Sequence, residues 1–166
     1  LSMLDWSVDQ REHPVMILIP GNQVTYREAD KDFNRLNHFK VEEAGEKVAI
    51  LALGDFYQRG EQLSAKIKAE LGFTPTLINP RFASGIDKEL LESLSERHQM
   101  VITMEDGILS GGFGEKIASF YGSSDMKVKN YGLEKKFYDR YDPNELLKEV
   151  GMTPAQIIAD ICNQLK

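Results

Sequence analysis

The chain has 166 residues, 42% of them hydrophobic and 28% charged, which suits one compact domain, or one domain with an appendage, and argues against a disordered, collagen-like or coiled-coil chain. Twenty-six acidic against 20 basic residues leave a formal charge of −6, so no nucleic-acid partner is expected, because phosphate contacts need a basic footprint. No apolar run approaches the roughly 20 residues that span a bilayer, so no membrane partner is expected either. The lone cysteine, Cys162, cannot form an internal disulfide, which points to a cytoplasmic setting. The three histidines and one cysteine show no metal-ligand spacing.

The chain opens on Leu1, Leu4 and Val8, at i, i+3 and i+7, so an amphipathic helix is expected from its first residues, closed by Pro14. With no charged region followed by an apolar core, this opening does not read as a signal peptide, and the chain reads as a fragment of a longer polypeptide, with a trimmed small protein as the alternative. Val15 to Ile19 predicts a buried strand stopped by Pro20-Gly21. Residues 22–45 are polar and weakly periodic, a linker in which Phe39 and Val41 could form an edge strand.

From residue 46 the pattern becomes regular. Val48 to Leu53 is a continuous apolar run, as in a strand buried on both faces of a parallel sheet. Leu63, Ile67 and Leu71 mark a helix that Gly72 can stop. Thr76 to Ile78 is the next strand, and Asp87 can cap a helix carrying Leu90, Leu91 and Leu94. A strand over Met100–Met104 follows, then Gly111-Gly112-Phe113-Gly114 leading into a helix with Phe113, Ile117 and Phe120, then a weak strand over Met126–Val128. Asp142-Pro143-Asn144-Glu145 and Thr153-Pro154-Ala155-Gln156 each place a cap, a first-turn proline and a third-position acid or amide before a helix. Gly151 ends the first of these helices, and Ile157, Ile158, Ile161 and Leu165 face the core from the second. Alternating strands and helices predict a three-layer αβα domain with a mostly parallel five-stranded sheet and right-handed crossovers.

Two places could carry chemistry. Arg81, in Asn79-Pro80-Arg81-Phe82, follows the carboxyl end of a parallel strand, the rim at which open α/β sheets bind ligands. A guanidinium there suits a phosphate or carboxylate; an ion pair with Asp87 that orders the turn is the structural alternative. Glu105-Asp106-Gly107 and the glycines at 111–114 could hold Mg²⁺ or cradle a phosphate. They match neither the dinucleotide fingerprint nor the P-loop, and close helix packing explains the glycines better. His98 can complement the negative end of the preceding helix, and His13 and His38 offer no pattern. Cys162 reads as a small core residue. Tyr131, Phe137, Tyr138 and Tyr141 read as a packing or subunit-contact cluster. No catalytic constellation is present, so no catalytic residue is assigned.

The residues from Thr76 to Phe82, Asp87, Val101 to Gly107 and Gly111 to Gly114 resemble the C-terminal domain of the transketolase family. That family includes transketolases, 1-deoxy-D-xylulose-5-phosphate synthases and the beta subunits of 2-oxoacid dehydrogenases. The tail, Tyr131-Gly132-Leu133, Phe137 and Glu145 to Met152, is most similar to the deoxyxylulose-phosphate synthase branch. So is His13 to Pro20, which resembles the last strand of a preceding pyrimidine-binding domain. The resemblance implies three parts: the end of that domain over 1–21, a linker over 22–45 and a transketolase C-terminal-like domain over 46–166. It implies a homodimeric enzyme with thiamine diphosphate and Mg²⁺ held by upstream domains. The synthase reaction joins pyruvate to glyceraldehyde 3-phosphate for isoprenoid and thiamine precursors. Arg81 falls on the family arginine that contacts the acceptor's phosphate, and the isolated chain is expected to be inactive.

The departures are specific. Leu18 stands where the synthase pattern has a second phosphate-binding arginine, Gly21-Asn22 replaces Arg-Gly, and Ser84-Gly85 replaces Lys-Pro. Losing one charge-assisted phosphate contact costs on the order of 1.5–3 kcal/mol, so a different acceptor or an altered activity is in view. Two further readings stay open: a non-catalytic interaction or anion-binding module, and a transketolase or 2-oxoacid dehydrogenase beta-type subunit.

Overall fold

A computed structural model describes residues 2–19 and 35–165. They fall into two compact units, one up to Leu36 and one from Asn37 onward.

In the first unit, helix α1 spans Ser2–Asp9. It ends well before Pro14 because the Gln10 side chain takes over the backbone: its Oε1 accepts from the amides of Glu12 and His13, both at 3.0 Å, and its Nε2 donates to the carbonyl of His13. The strand expected over Val15–Ile19 is not formed. Met16, Leu18 and Ile19 are all more than 80% exposed, and no described strand supplies the hydrogen-bonding partner that an apolar run needs to become a buried strand. Leu1 and residues 20–34, with the Pro20-Gly21 stop and most of the expected linker, lie outside the described residues.

The second unit is built on a five-stranded sheet in the order β1-β3-β2-β4-β5. The strands are β1 (Lys40–Glu43), β2 (Lys47–Ala52), β3 (Thr76–Asn79), β4 (His98–Ile108) and β5 (Lys127–Leu133). β2 to β5 are mutually parallel, and β1 closes one margin antiparallel to β3. The central run Val48–Ala52 is fully buried, as expected of a strand covered on both faces. Its alternate residues divide the core in two. Val48, Ile50 and Ala52 pack with α2 (Tyr57–Leu71), α5 (Pro143–Glu149) and α6 (Pro154–Gln164). Ala49 and Leu51 pack with α3 (Lys88–Leu94) and α4 (Phe113–Tyr121) on the other face. The three layers follow from this period of two.

The helix ends follow their local sequence. Gly72 adopts φ +73° at the end of α2, a conformation glycine takes without a Cβ penalty. Asp142 accepts from Asn144 and Glu145, and Thr153 and Gln156 form a reciprocal box. Gly60 lets α2 lie directly on the sheet, since a Cβ there would stand 2.6 Å from that of Ala52. One expectation for α6 fails: Cys162 is exposed. The buried stripe runs through Ile157 and Ile161, and the next residue is turned about 100° away from that axis.

Candidate functional site

The register aligns Ile78, Leu51 and Thr103 in one row across β3, β2 and β4, and Arg81 lies three residues past that row, on the carboxyl rim of the sheet. The turn that carries it is tight: the amide of Phe82 donates to the carbonyl of Pro80 at 2.6 Å, and the amide of Arg81 donates to Asn79 Oδ1 at 3.1 Å. Arg81 itself has φ +62°. A left-handed conformation costs a non-glycine residue roughly 1–2 kcal/mol, and such strain concentrates at functional positions. The guanidinium is directed onto residue 38, where Nε and Nη2 donate to the carbonyl of His38 at 3.2 and 2.8 Å.

Asp87 closes the same corner from below. It is buried. Its Oδ1 accepts from the amide of Leu90 at 3.1 Å and so caps α3 as the sequence predicts. Its Oδ2 accepts from the amide of Phe39 at 2.9 Å and pairs with His38 Nδ1 at 2.9 Å. Arg81 and Asp87 therefore share a partner. They meet through residue 38, the arginine at its carbonyl and the carboxylate at its imidazole. Ser84 donates to Asn37 Oδ1 at 2.7 Å, and Asn37 lies so close to Gly85 that a Cβ there would come within 2.4 Å of its side chain. Lys116 Nζ, from α4, donates to the carbonyl of Ala83 at 2.8 Å. Arg81, His38 and Lys116 thus gather around residues 80–87 of an acidic chain. His38 was invisible in the sequence: 49 positions separate it from Asp87, and no local pattern joins them.

The second candidate resolves into architecture. Glu105, buried at the end of the apolar run of β4, accepts the amides of Phe113 and Gly114 at 2.9 and 2.8 Å, one with each oxygen. It caps α4 from outside the helix, where negative charge is favoured. A Cβ on Gly112 would stand 2.8 Å from both Glu105 oxygens, and one on Gly114 would stand 2.4 Å from Thr103 Oγ1. The glycines serve this close approach. Asp106 is exposed, and no group of three or more His, Cys, Asp or Glu side chains among the described residues could hold a metal ion.

His98 lies at the opposite, amino rim. Its Nδ1 faces the carbonyl of Leu94 at 2.9 Å, which can only accept, so Nδ1 donates to the end of α3 as expected. Its Nε2 lies 2.8 Å from Thr76 Oγ1, which in turn accepts from the amide of Gly45 at 2.9 Å. The aromatic residues before α5 do not form one cluster. Tyr131 is buried and donates to Asp160 at 2.8 Å, Tyr138 and Tyr141 make an edge-on pair at 6.1 Å, and Phe137 is fully exposed.

Residues 37–157 match the family described as transketolase, C-terminal domain. The chain is 30% identical over 167 residues to the 1-deoxy-D-xylulose-5-phosphate synthase of Shouchella clausii, covering 98% of this chain and 26% of that protein. It is 34% identical over 119 residues to the synthase of Crocosphaera subtropica, covering 70% and 19%. It thus spans about a quarter of these relatives. Among solved structures, a split-gene transketolase described as an inactive beta4 tetramer superposes with a TM-score of 0.71 at 22% identity, over 84% of this chain and 46% of that one. The order of the strands, the glycine-assisted capping of α4 and the match over most of the second unit lead to one conclusion: the chain belongs to the transketolase C-terminal domain family and resembles the 1-deoxy-D-xylulose-5-phosphate synthases within it.

Proposed function

We propose that the chain is the C-terminal lobe of a thiamine-diphosphate-dependent transferase of the deoxyxylulose-phosphate synthase type. In this reading Arg81 binds the phosphate of a phosphorylated sugar acceptor, and the lobe contributes subunit contacts in a cytoplasmic homodimer that supplies isoprenoid and thiamine precursors. Residues 1–21 would be the end of a pyrimidine-binding domain, 22–45 a linker and 46–166 the lobe. The observation that carries the reading is the position of Arg81, a guanidinium on the carboxyl rim of a sheet whose family match spans residues 37–157. The fully exposed Phe137 suits a contact with another chain.

The chain's own described residues do not fit thiamine diphosphate or its Mg²⁺. The buried carboxylate, Glu105, has both oxygens on the amides of α4, and no metal-ligating group assembles. Cofactor binding and bond-making belong, in this proposal, to upstream domains on the same or a neighbouring chain, and the 166-residue protein alone turns nothing over. The test has two arms. The reading frame that carries this chain, or its neighbours, should encode thiamine-diphosphate-binding domains, and their absence would remove the proposal. Pyruvate decarboxylation by the purified 166-residue protein would contradict it equally.

One observation favours a second reading, a non-catalytic anion-binding or interaction module: Leu18 stands in place of the second phosphate arginine. Capture of a partner unrelated to thiamine-diphosphate enzymes, with no affinity for such subunits, would select it.

A further inference from the structure

We propose that Asp87 is a positioning residue for Arg81: through the peptide group between residues 38 and 39 it sets the direction of the guanidinium that receives the acceptor's phosphate. The inference rests on the reading of Arg81 as a phosphate-binding residue.

Capping α3 needs one carboxylate oxygen, and Oδ1 supplies it to the amide of Leu90 at 3.1 Å. Oδ2 is spent elsewhere. It accepts from the amide of Phe39, 48 positions upstream, at 2.9 Å and meets His38 Nδ1 at the same distance. The amide of Phe39 and the carbonyl of His38 belong to one peptide group, which is trans and planar, so its N–H and C=O point in opposite directions. Fixing the N–H on Asp87 therefore aims the carbonyl away from Asp87, and that carbonyl is the one that Arg81 Nε and Nη2 meet at 3.2 and 2.8 Å. Two donors on one oxygen hold the guanidinium along an edge and so orient its plane.

The neighbours of this peptide are themselves anchored. Phe39 is buried, with its ring 5.8 Å from that of Phe113, and Ser84 donates to the side chain of Asn37. Arg81 needs such a hold. Its φ of +62° is a conformation that persists only where the surroundings over-determine it. A long side chain ordered before its ligand arrives also spares the entropy that ordering would cost on binding.

The experiment uses the chain assembled with thiamine-diphosphate-binding domains and compares glyceraldehyde 3-phosphate with glyceraldehyde as acceptors. An amide has a single oxygen, so Asp87→Asn cannot accept from both Leu90 and Phe39. The preference in kcat/KM for the phosphorylated acceptor should fall about 10-fold in this variant, through KM. A merely structural loss lowers the rates with both acceptors alike and leaves that preference unmoved, which would overturn the inference. His38→Ala, which leaves the cap of α3 whole, should lower the preference about 3-fold. In the Arg81→Ala background Asp87→Asn should cost no further preference, because Asp87 acts through the guanidinium, and additive losses overturn the inference while the Arg81 reading stands. If Arg81→Ala itself keeps the preference, the Arg81 reading falls and the inference with it. A readout free of activity is the Arg81 Nε–H signal of the 166-residue chain by NMR. Its exchange with solvent should be on the order of 10-fold faster in Asp87→Asn, and an unchanged rate overturns the inference.

Discussion

The two rims of the sheet each hold a histidine fixed through Nδ1. At the amino rim, His98 is closed on both sides, with Nδ1 on the carbonyl of Leu94 and Nε2 on Thr76. At the carboxyl rim, His38 is held through Nδ1 by Asp87, its one side-chain partner among the described residues, beside a strained arginine. Closed rings finish the hydrogen bonding of a helix end and a strand start. The His38 ring is only half-buried, and its fixed nitrogen is tied to a buried carboxylate rather than to a helix end. The contrast separates a ring that finishes secondary structure from one that joins β1 to the loop before α3.

Glu105 offers the hardest test of that contrast, because it stands on the carboxyl rim yet is fully engaged. Glu105→Ala should lose about 2–4 kcal/mol of stability, since it strands two buried amides at the start of α4. Its denaturant midpoint should fall while sulfate binding by the folded fraction stays unchanged. Altered anion binding without lost stability would reverse the assignment. Arg81→Ala, in an assembly with thiamine-diphosphate-binding domains, should weaken the phosphorylated acceptor about 10- to 100-fold and leave pyruvate nearly unaffected. Equal effects on both substrates would erase the distinction between the rims. His98→Ala should give the mirror result, a loss of about 1–2 kcal/mol in stability with unaltered anion binding.

The smallest effect is a pH dependence at the amino rim. Burial lowers the pKa of His98 below its ordinary 6.5, and the hydrogen bond to Leu94 opposes this only in part. The folded state therefore binds fewer protons there than the unfolded chain. That contribution to stability is present above pH 6.5 and is lost as pH falls through 6.5 and on through the folded pKa. Denaturant midpoints between pH 7.5 and 5 should fall less steeply in His98→Gln, and an unchanged slope would show that the ring carries no such coupling.

Much of the second unit was legible because its signals are local. The apolar run Val48–Leu53, the stop at Gly72 and the caps at Asp87, Asp142 and Thr153 each sit within a few residues of the element they shape. Arg81 could be placed on a rim because the end of a strand is also a local signal. The errors arise where the deciding partner is distant or missing. Val15–Ile19 has the composition of a buried strand, but composition cannot supply a neighbouring strand to pair with. Cys162 sits beside a buried stripe and is rotated out of it. The weak signal at Met126–Val128 underestimated β5, which runs to Leu133 because β4 offers it a long parallel template. Glu105 caps a helix eight residues downstream, and His38 reaches Asp87 across a whole βαβ unit. Neither contact leaves a mark in any short window of sequence.

The close approach of Gly85 to Asn37 couples two positions that lie 48 residues apart in the chain. A side chain at position 85 would press on the amide end of Asn37, whose own φ of +58° suits a glycine. Gly85→Pro alone should destabilise by roughly 1–3 kcal/mol through overpacking. Combined with Asn37→Gly, most of that loss should disappear in a double-mutant cycle of denaturant midpoints. Additive losses would mean that the two positions are energetically independent.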